Sequence, residues 1–292
     1  MAPGAAIFLN EGAGSARTDD VRRAVELARR ALGADLHVTA TRDADELSAW
    51  LAERIDGYGT AVIAGGDGSL GVAYNVAAGR EGLTLGYLPA GFGNATRHLL
   101  RLPRAPEALV AVLVRGDARP IDLVAVDGRL ALFAGAGWDA RVAGRYADSG
   151  ARRLPGWAAA LARSIPDLWR RPDVEVSADD WIVHRGAMEL LVIGTTPFYG
   201  RGLRVNPGAR PDAGVMALRV YPGPAAPLAV EAARWILKLT PRAERTDARR
   251  VELRSLDGTA IPVQCDGDVM GARASWTFEI RPAAVRLIGR WG

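Results

Sequence analysis

The residues best suited to chemistry lie in a glycine-rich loop that follows an apolar run at 61–64. The loop consists of Gly65, Gly66, Asp67, Gly68 and Ser69. Because glycine lacks Cβ, such a backbone can bring several N–H groups close to the oxygens of an anion. The Asp67 carboxylate would repel that anion unless a cation lay between them. The pattern predicts a nucleotide-phosphate site in which Asp67 holds Mg²⁺, directly or through water, although an ordinary turn between a strand and a helix explains the glycines equally well.

A second glycine loop follows the next apolar run, at 83–89. It contains Gly91, Gly93 and Asn94. In an open α/β sheet, ligands bind outside the carboxyl ends of neighbouring strands, where both loops would project. The two loops therefore predict one cleft. Asn94 fits either a contact with the nucleotide or a left-handed turn position.

The elements that must position these loops alternate between strands and helices. Strand-like apolar runs lie at 5–9, 36–40, 61–64 and 83–89, and helical patterns lie at 21–32, 44–55 and 70–78. Thr18 is predicted to cap the first helix through its side-chain oxygen. This alternation predicts a parallel α/β domain.

After Asp122 the pattern changes to short alternating runs, which predict antiparallel strands. These runs lie at 123–126, 130–134, 174–177, 181–183, 189–193, 215–220, 251–256, 261–264 and 275–280. The sequence therefore predicts a second domain, rich in β-structure.

Composition and charge narrow the function classes. The chain has 292 residues, of which 49% are hydrophobic, so it can bury one large core or two modest ones. Nearly all the basic charge is arginine, since Lys238 is the only lysine, and the net charge is +4. A Walker A loop and a protein kinase each need a lysine in a motif that this chain lacks. The arginines are scattered among acidic residues, which disfavours nucleic acid as a partner and favours attraction to an anionic membrane surface.

The single cysteine, Cys265, excludes an internal disulfide framework and fits a reducing compartment. Residues 1–10 lack the basic segment and the apolar length of a signal peptide, and no apolar run approaches the length of a membrane span. We therefore expect a cytoplasmic protein, with peripheral contact to the inner face of the membrane as an option.

At its two glycine loops the chain resembles the diacylglycerol kinase catalytic-domain family, which includes bacterial diacylglycerol and YegS-type lipid kinases and sphingosine kinases. The shared features, in the same order, are the loop at 65–69, Pro89 with Gly91 and Asn94, Ile121-Asp122, Gly137-Trp138-Asp139-Ala140, the glycines and proline at 200–214, and Asp266-Gly267-Asp268. The resemblance implies a Rossmann-like ATP-binding domain at 1–122, to which 283–292 return. It also implies an antiparallel, β-sandwich-like lipid-substrate domain at 123–282, with the active site in the interdomain cleft.

The resemblance also implies roles for individual residues. Asp268 stands where the family has a glutamate and would act as the general base for the acceptor hydroxyl, unless Asp266-Gly267-Asp268 is merely a β-turn. Asp122 would belong to the metal or acceptor network. The implied nucleotide-binding residues are Asn10, Gly65, Gly66, Asp67, Gly68, Ser69, Gly91, Gly93 and Asn94.

Two residues are implied as metal ligands. They are Asp67 and, at a peripheral cation site, Asp212, although Ala213 replaces the second aspartate of that site. Asp139 follows Gly-Trp and is expected to cap the next helix more readily than to act in catalysis.

The chain departs from the family pattern near both loops. Ala95 and Phe92 replace an aspartate and a threonine of many bacterial members, and Gly71-Val72 replace Asn-Glu. Sphingosine kinases also carry Asn-Ala in the second loop, so the change does not imply inactivity.

The segment 152–171 is the main candidate for contact with lipid. Leu154, Trp157, Leu161, Ile165 and Leu168 recur at helical spacing among arginines. This pattern predicts either an interfacial helix or an ordinary core-facing helix with a solvated arginine face. The segment 235–238 is a second, weaker candidate.

Together these features predict an ATP-dependent, Mg²⁺-requiring kinase that phosphorylates a hydroxyl of a lipid such as diacylglycerol or a sphingoid base. The expected partners are the lipid substrate and a membrane surface but no nucleic acid, and a homodimer stays open. The alternatives are an NAD kinase, disfavoured because no Asn-Glu ribose motif follows the first loop, and a catalytically silent nucleotide- or lipid-binding homologue.

Overall fold

The computed structural model describes residues 4–91, 93–148, 153–200, 202–223 and 225–291. Phe92 and Arg152 lie outside these residues, and the side chain of Leu154 is likewise outside the description. The chain divides into two compact units: Met1–Ile121 with Gly200–Gly202 and Ala283–Gly292, and Asp122–Tyr199 with Leu203–Pro282. Across the described ranges, no helix combines the length and apolar character needed to cross a membrane.

The first unit alternates strands with helices. Its elements are β1 (Gly4–Asn10), α1 (Asp19–Leu32), β2 (Asp35–Thr39), α2 (Ala44–Arg54), β3 (Tyr58–Gly65), α3 (Asp67–Ala77), β4 (Thr84–Pro89), α4 (Ala95–Leu99) and α5 (Pro106–Arg115). The strands pair in parallel in the order β2-β1-β3-β4, and Arg286 and Leu287 pair in parallel with the outer side of β4.

Burial explains why β1 and β3 are nearly continuous apolar runs. Residues 6–10 of β1 and 61–65 of β3 are all buried, as expected for a parallel sheet covered by helices. Helix α1 packs against α5, and α2 packs against α3. The predicted parallel α/β domain is therefore confirmed.

The prediction that the Thr18 side chain caps α1 is wrong. Thr18 is the residue before the helix, but its side chain makes no capping hydrogen bond. Its Oγ1 instead donates to the carbonyl of Ser15 at 2.9 Å, which fixes the preceding turn.

The second unit is mostly antiparallel. Strand β5 (Ala118–Val126) enters it, followed by β6 (Arg129–Ala131), β7 (Phe133–Gly137), α6 (Trp138–Asp148), α7 (Arg153–Ser164), a 3₁₀ helix (Ile165–Trp169), β8 (Asp173–Ala178), β9 (Trp181–Ala187), β10 (Leu190–Gly194), β11 (Phe198–Tyr199), β12 (Leu203–Arg204), β13 (Met216–Tyr221), α8 (Ala225–Ile236), β14 (Thr246–Ala248), β15 (Arg250–Ser255), β16 (Ile261–Cys265), β17 (Asp268–Arg273) and β18 (Ser275–Ile288).

Two antiparallel layers enclose the core of this unit. One has the order β14-β13-β10-β7-β16-β17, and the other is formed by the start of β18 with β15, β8 and β9. Alternate residues of the strands, such as Val174, Val176, Val251 and Leu253, meet in one buried cluster with Phe278. The predicted β-sandwich-like domain is therefore confirmed.

The helical pattern at 152–171 is not one helix. Helix α7 ends at Ser164, and a 3₁₀ turn with Pro166 in its first positions follows, because proline cannot continue the hydrogen-bond ladder. Ile165 and Trp169 are 49% and 65% exposed. In the weaker candidate, Trp235 is buried, whereas Ile236 and Leu237 are exposed.

Candidate active site

The first glycine loop joins β3 to α3. Gly66 is the residue before the helix and has an extended backbone, and no side chain caps the helix. The first turn of a helix presents N–H groups that have no partner within the helix, so an uncapped N-terminus suits an anion. The structure therefore gives the loop the strand–loop–helix setting that a phosphate site requires.

The two glycine loops touch each other within the first unit. A Cβ on Gly91 would lie 2.5 Å from the Gly66 Cα, and a Cβ on Gly66 would lie 3.2 Å from the Gly91 Cα. A Cβ on Gly65 would lie 2.6 Å from that of Ser69. Close packing accounts for these three glycines. Gly68 is different, because a Cβ there would meet open space.

The Asp67 carboxylate ties the first loop to α4. Its Oδ2 accepts the N–H of Ala95 at 2.7 Å, and its Oδ1 accepts the N–H of Thr96 at 3.1 Å. Burial raises the pKa of Asp67 above its ordinary value, against the opposing effect of these two backbone bonds. The Thr96 side chain also hydrogen-bonds to this carboxylate. The role of Asp67 towards Mg²⁺ stays a prediction.

Asn94 closes the second loop on itself. Its backbone is left-handed, with φ 48° and ψ 51°. Its Oδ1 accepts from the Gly91 N–H and the Tyr87 hydroxyl, both at 3.0 Å, and its Nδ2 donates to the Gly91 carbonyl at 2.7 Å. Asn94 therefore occupies a left-handed turn position, which was one of the two alternatives drawn from the sequence. Its Nδ2 has a second hydrogen that could donate to a nucleotide, and this contact stays a prediction. Tyr87 was missed, although a buried strand tyrosine signals a need for a polar partner.

Asn10 and Ser69 meet at the end of β1. The Asn10 Nδ2 donates to the Ser69 Oγ at 3.2 Å, and its Oδ1 accepts the Gly12 N–H at 2.9 Å. Gly93 lies in the second loop, beside Asn94. The predicted nucleotide-binding residues of the first unit are therefore brought together around the carboxyl ends of β1, β3 and β4.

The Asp266-Gly267-Asp268 segment of the second unit is a hairpin between β16 and β17. Asp266 and Gly267 both have positive φ, 50° and 98°, as in the tight turns that suit twisted hairpins. The Asp266 carboxylate accepts the N–H groups of Leu132 and Phe133 at 3.1 Å, so it anchors the turn.

Asp268 begins β17 and is more accessible. Its side chain is 46% exposed, and its Oδ2 forms an ion pair with Arg129. Sequence reasoning missed Arg129, which is remote in the chain and has no local signal. The segment 266–268 therefore contains the β-turn considered in the sequence analysis. The role of Asp268 as a general base stays a prediction.

A buried network of polar side chains hydrogen-bonds to the turn at 266–267. The Tyr199 hydroxyl donates to the Asp139 Oδ2, to which Gln264 Nε2 also donates at 3.1 Å. Gln264 Oε1 accepts the Gly267 N–H at 2.6 Å. A Cβ on Gly135 would overlap both Asp139 and Tyr199, so glycine is required there. The network connects Asp139 to the backbone next to Asp268.

Asp139 is not the helix cap expected from the sequence, because α6 already begins at Trp138 and Asp139 lies in its first turn. Its Oδ1 does accept the Ala140 N–H, at 2.8 Å, within the first turn of α6. Removal from water raises its pKa to about 6, with hydrogen bonds from Tyr199 and Gln264 acting in the opposite direction.

Asp122 and Asp212 lie elsewhere in the second unit. The Asp122 Oδ2 accepts the Gly214 N–H at 2.6 Å, which fixes the turn before β13. The Asp212 carboxylate forms a two-point pair with Arg210 at 3.0 and 3.1 Å. Among the residues that the structure describes, no three carboxylate, histidine or cysteine side chains gather as a metal site would require. The network role of Asp122 and the metal role of Asp212 stay predictions.

Comparison with known proteins identifies a related domain for each of the two units. Residues 4–126 match the model of the diacylglycerol kinase catalytic domain, and residues 133–289 match that of the YegS C-terminal NAD kinase beta sandwich-like domain. A Pseudomonas aeruginosa protein named "Probable lipid kinase YegS-like" is 33% identical over 217 residues, which cover 72% of this chain and 70% of the relative.

Solved structures share the fold. A diacylglycerol kinase from Bacillus anthracis superposes with a TM-score of 0.75 at 18% identity, covering 99% of this chain and 97% of that one. An NAD kinase from Archaeoglobus fulgidus in complex with ATP gives a TM-score of 0.54 at 13% identity, covering 98% of this chain and 92% of that one. With both of its units matched and a relative one-third identical over most of both chains, the chain belongs to the diacylglycerol kinase catalytic-domain family, with a carboxyl-terminal domain of the YegS type.

Proposed function

We propose that this protein is a lipid kinase that transfers the γ-phosphoryl group of ATP to a hydroxyl of a lipid, with Mg²⁺ as the cofactor. The observation that carries the proposal is the uncapped N-terminus of α3, lined by two glycine loops in contact. Family membership adds support, since the similar P. aeruginosa protein is named a lipid kinase. Diacylglycerol and sphingoid bases are the candidate acceptors.

Phosphoryl transfer asks the protein mainly for positioning and for neutralisation of charge. In our proposal the N–H groups at the start of α3 hold phosphate oxygens, because they point out of the helix and carry its positive dipole end. Gly68 leaves room for the approach of that group. Bound Mg²⁺, held by Asp67 directly or through water, would supply the charge that lets this carboxylate and the phosphates coexist.

The acceptor hydroxyl needs a base, because its own pKa is far above neutral. We assign this role to Asp268 and specifically to Oδ1, since Arg129 pairs with Oδ2. Aspartate is one methylene shorter than the glutamate of the family pattern, so the proton passes to it directly or through one water. Asp266 cannot share the role while its carboxylate holds the N–H groups of Leu132 and Phe133.

A lipid acceptor requires contact with a membrane surface. The 3₁₀ turn after α7 offers Ile165 and Trp169, both exposed, beside the exposed cation Arg170. Apolar and aromatic side chains next to arginine suit the boundary between headgroups and acyl chains. We propose this turn as the region that contacts the membrane.

The test offers purified protein γ-labelled ATP and Mg²⁺ with diacylglycerol, sphingosine or NAD in parallel. We expect label in the solvent-extracted lipid and none in NAD. The Asp67→Asn variant serves as the inactive control. Label transferred to NAD would instead identify an NAD kinase, and ATP binding without transfer to any acceptor would identify a silent homologue.

A further inference from the structure

A basic cavity lies beside α4 and the segment that follows it. Its volume is about 630 Å³, and its charged lining consists of Arg97, Arg101 and Arg104 together with His98. Gly93 and Asn94 of the second glycine loop form one edge. The cavity belongs entirely to the first unit.

Within the part of the chain that the structure describes, no ion pair neutralises the arginines of this cavity. The described ion pairs of the first unit all use other arginines. Within the described ranges, Arg97, Arg101 and Arg104 therefore have no carboxylate partner. Burial, together with the positive charge of Arg104, lowers the pKa of Arg97. The cavity thus concentrates positive charge that a bound anion would relieve.

The backbone of Arg101 belongs to the end of α4. Its φ is 48°, in the left-handed region, where glycine or asparagine is favoured and other side chains cost about 1 kcal/mol or more. The segment is fixed there by hydrogen bonds from the Leu102 N–H to the Arg97 carbonyl and from the Arg290 N–H to the Leu100 carbonyl. Together with the bond from the Arg101 N–H to the His98 carbonyl at 3.3 Å, the Leu102 bond forms a Schellman helix end, which accounts for the left-handed backbone. This helix end places Arg101 in the lining of the cavity.

We propose that this cavity binds a phosphate group separate from those of the nucleotide, either a soluble phosphomonoester or the headgroup phosphate of an anionic lipid. Guanidinium groups match phosphate oxygens with paired, charge-assisted hydrogen bonds, and three of them suit one dianionic group. This inference goes beyond the proposed function, because binding at the cavity needs neither ATP nor turnover.

The experiment compares wild type with Arg101→Gln/Arg104→Gln. The control, Arg22→Gln/Arg115→Gln, removes the same charge from exposed positions of the same unit outside the cavity. Glycerol 3-phosphate and inorganic phosphate are titrated by calorimetry, and phosphatidylcholine vesicles with and without phosphatidic acid are cosedimented. Loss of a charged hydrogen bond weakens binding about tenfold or more per arginine, so the cavity variant should bind about a hundredfold more weakly. Affinity for a non-hydrolysable ATP analogue should not change.

The two probes distinguish the sources of the phosphate. Selective loss of the soluble ligands assigns the cavity to a phosphomonoester, and selective loss of phosphatidic acid vesicles assigns it to a lipid headgroup. The proposal is overturned if wild type binds neither probe, if the control loses as much as the cavity variant, or if the ATP analogue competes with the probe. Failure of lipid phosphorylation would leave these binding results intact, so the two proposals fail separately.

Discussion

Replacing Tyr199 by phenylalanine should destabilise the second unit in a pH-dependent way. The change removes the hydroxyl that donates to Asp139 and accepts from Gln264 Nε2, with little change in volume. A hydrogen bond to an ionised partner contributes about 1.5–3 kcal/mol, and one between neutral groups about 1 kcal/mol. Gln264 Nε2 still donates to the Asp139 Oδ2 at 3.1 Å and the Ala140 N–H to the Oδ1 at 2.8 Å, so the carboxylate keeps two donors.

The sign of the pH dependence follows from the raised pKa. The pKa of Asp139 is about 6 in the folded protein against an ordinary value of 3.8. Between these values the folded state holds the proton more tightly, so the stability falls as the pH rises through this window, by about 3 kcal/mol in total. Because the Tyr199 bond favours the ionised form, Tyr199→Phe should raise the pKa further. Its cost should therefore be about 1 kcal/mol near pH 5 and about 2–3 kcal/mol near pH 8.

The assay is urea unfolding at both pH values, with Tyr58→Phe as the matched control. The Tyr58 hydroxyl also donates to a carboxylate, that of Asp35 at 2.8 Å, but in an exposed setting where water replaces the lost bond. We expect the control to cost less than about 1 kcal/mol at either pH. If Tyr199→Phe cost the same at both pH values, or no more than the control, the charged network around Asp139 would be refuted.

Two further predictions concern the phosphate loop and the base. Gly68→Val should leave the free energy of unfolding nearly unchanged, because a Cβ at this position meets open space. The same variant should bind ATP about tenfold or more weakly in calorimetry. Unchanged affinity would show that the phosphates do not bind at the start of α3. Asp268→Asn should lower kcat about 10²- to 10⁴-fold with unchanged ATP affinity. Its control is Asp127→Asn, which breaks another ion pair with an arginine in the same unit, and a similar loss in that control would argue against a base at Asp268.

The alternation of strands and helices in the first unit could be predicted because short stretches of sequence mark each element. Strands β1, β3 and β4 are apolar runs, and the Gly65-to-Ser69 loop marks the change from β3 to α3. Helix α7 was drawn too long because apolar spacing continues past Ser164, whereas Pro166 ends the helical ladder. Strand β17 was missed because its side chains are mostly exposed, so it carries no apolar alternation.

The parts of the site that lie in short sequence motifs could be predicted. The contacts between residues far apart in the sequence could not. The Asp139–Tyr199 and Asp139–Gln264 bonds join residues 60 and 125 positions apart, and the Arg129–Asp268 pair spans 139 positions. Nothing in the neighbouring sequence marks such partners, since they are set by strand pairing. Buried polar groups need partners, so a search for them should follow once the fold is known.

The reaction proposed for this protein is transfer of a phosphoryl group from ATP to a lipid hydroxyl. The most direct measurement incubates the protein with ATP, Mg²⁺ and diacylglycerol in mixed micelles, and follows ADP and the extracted lipid together by mass spectrometry. We expect phosphatidic acid to form mole for mole with ADP, both suppressed in Asp67→Asn. With sphingosine as the acceptor, the matching product is its phosphate. Release of ADP without a phosphorylated lipid from either acceptor, or unchanged product in Asp67→Asn, would contradict the account.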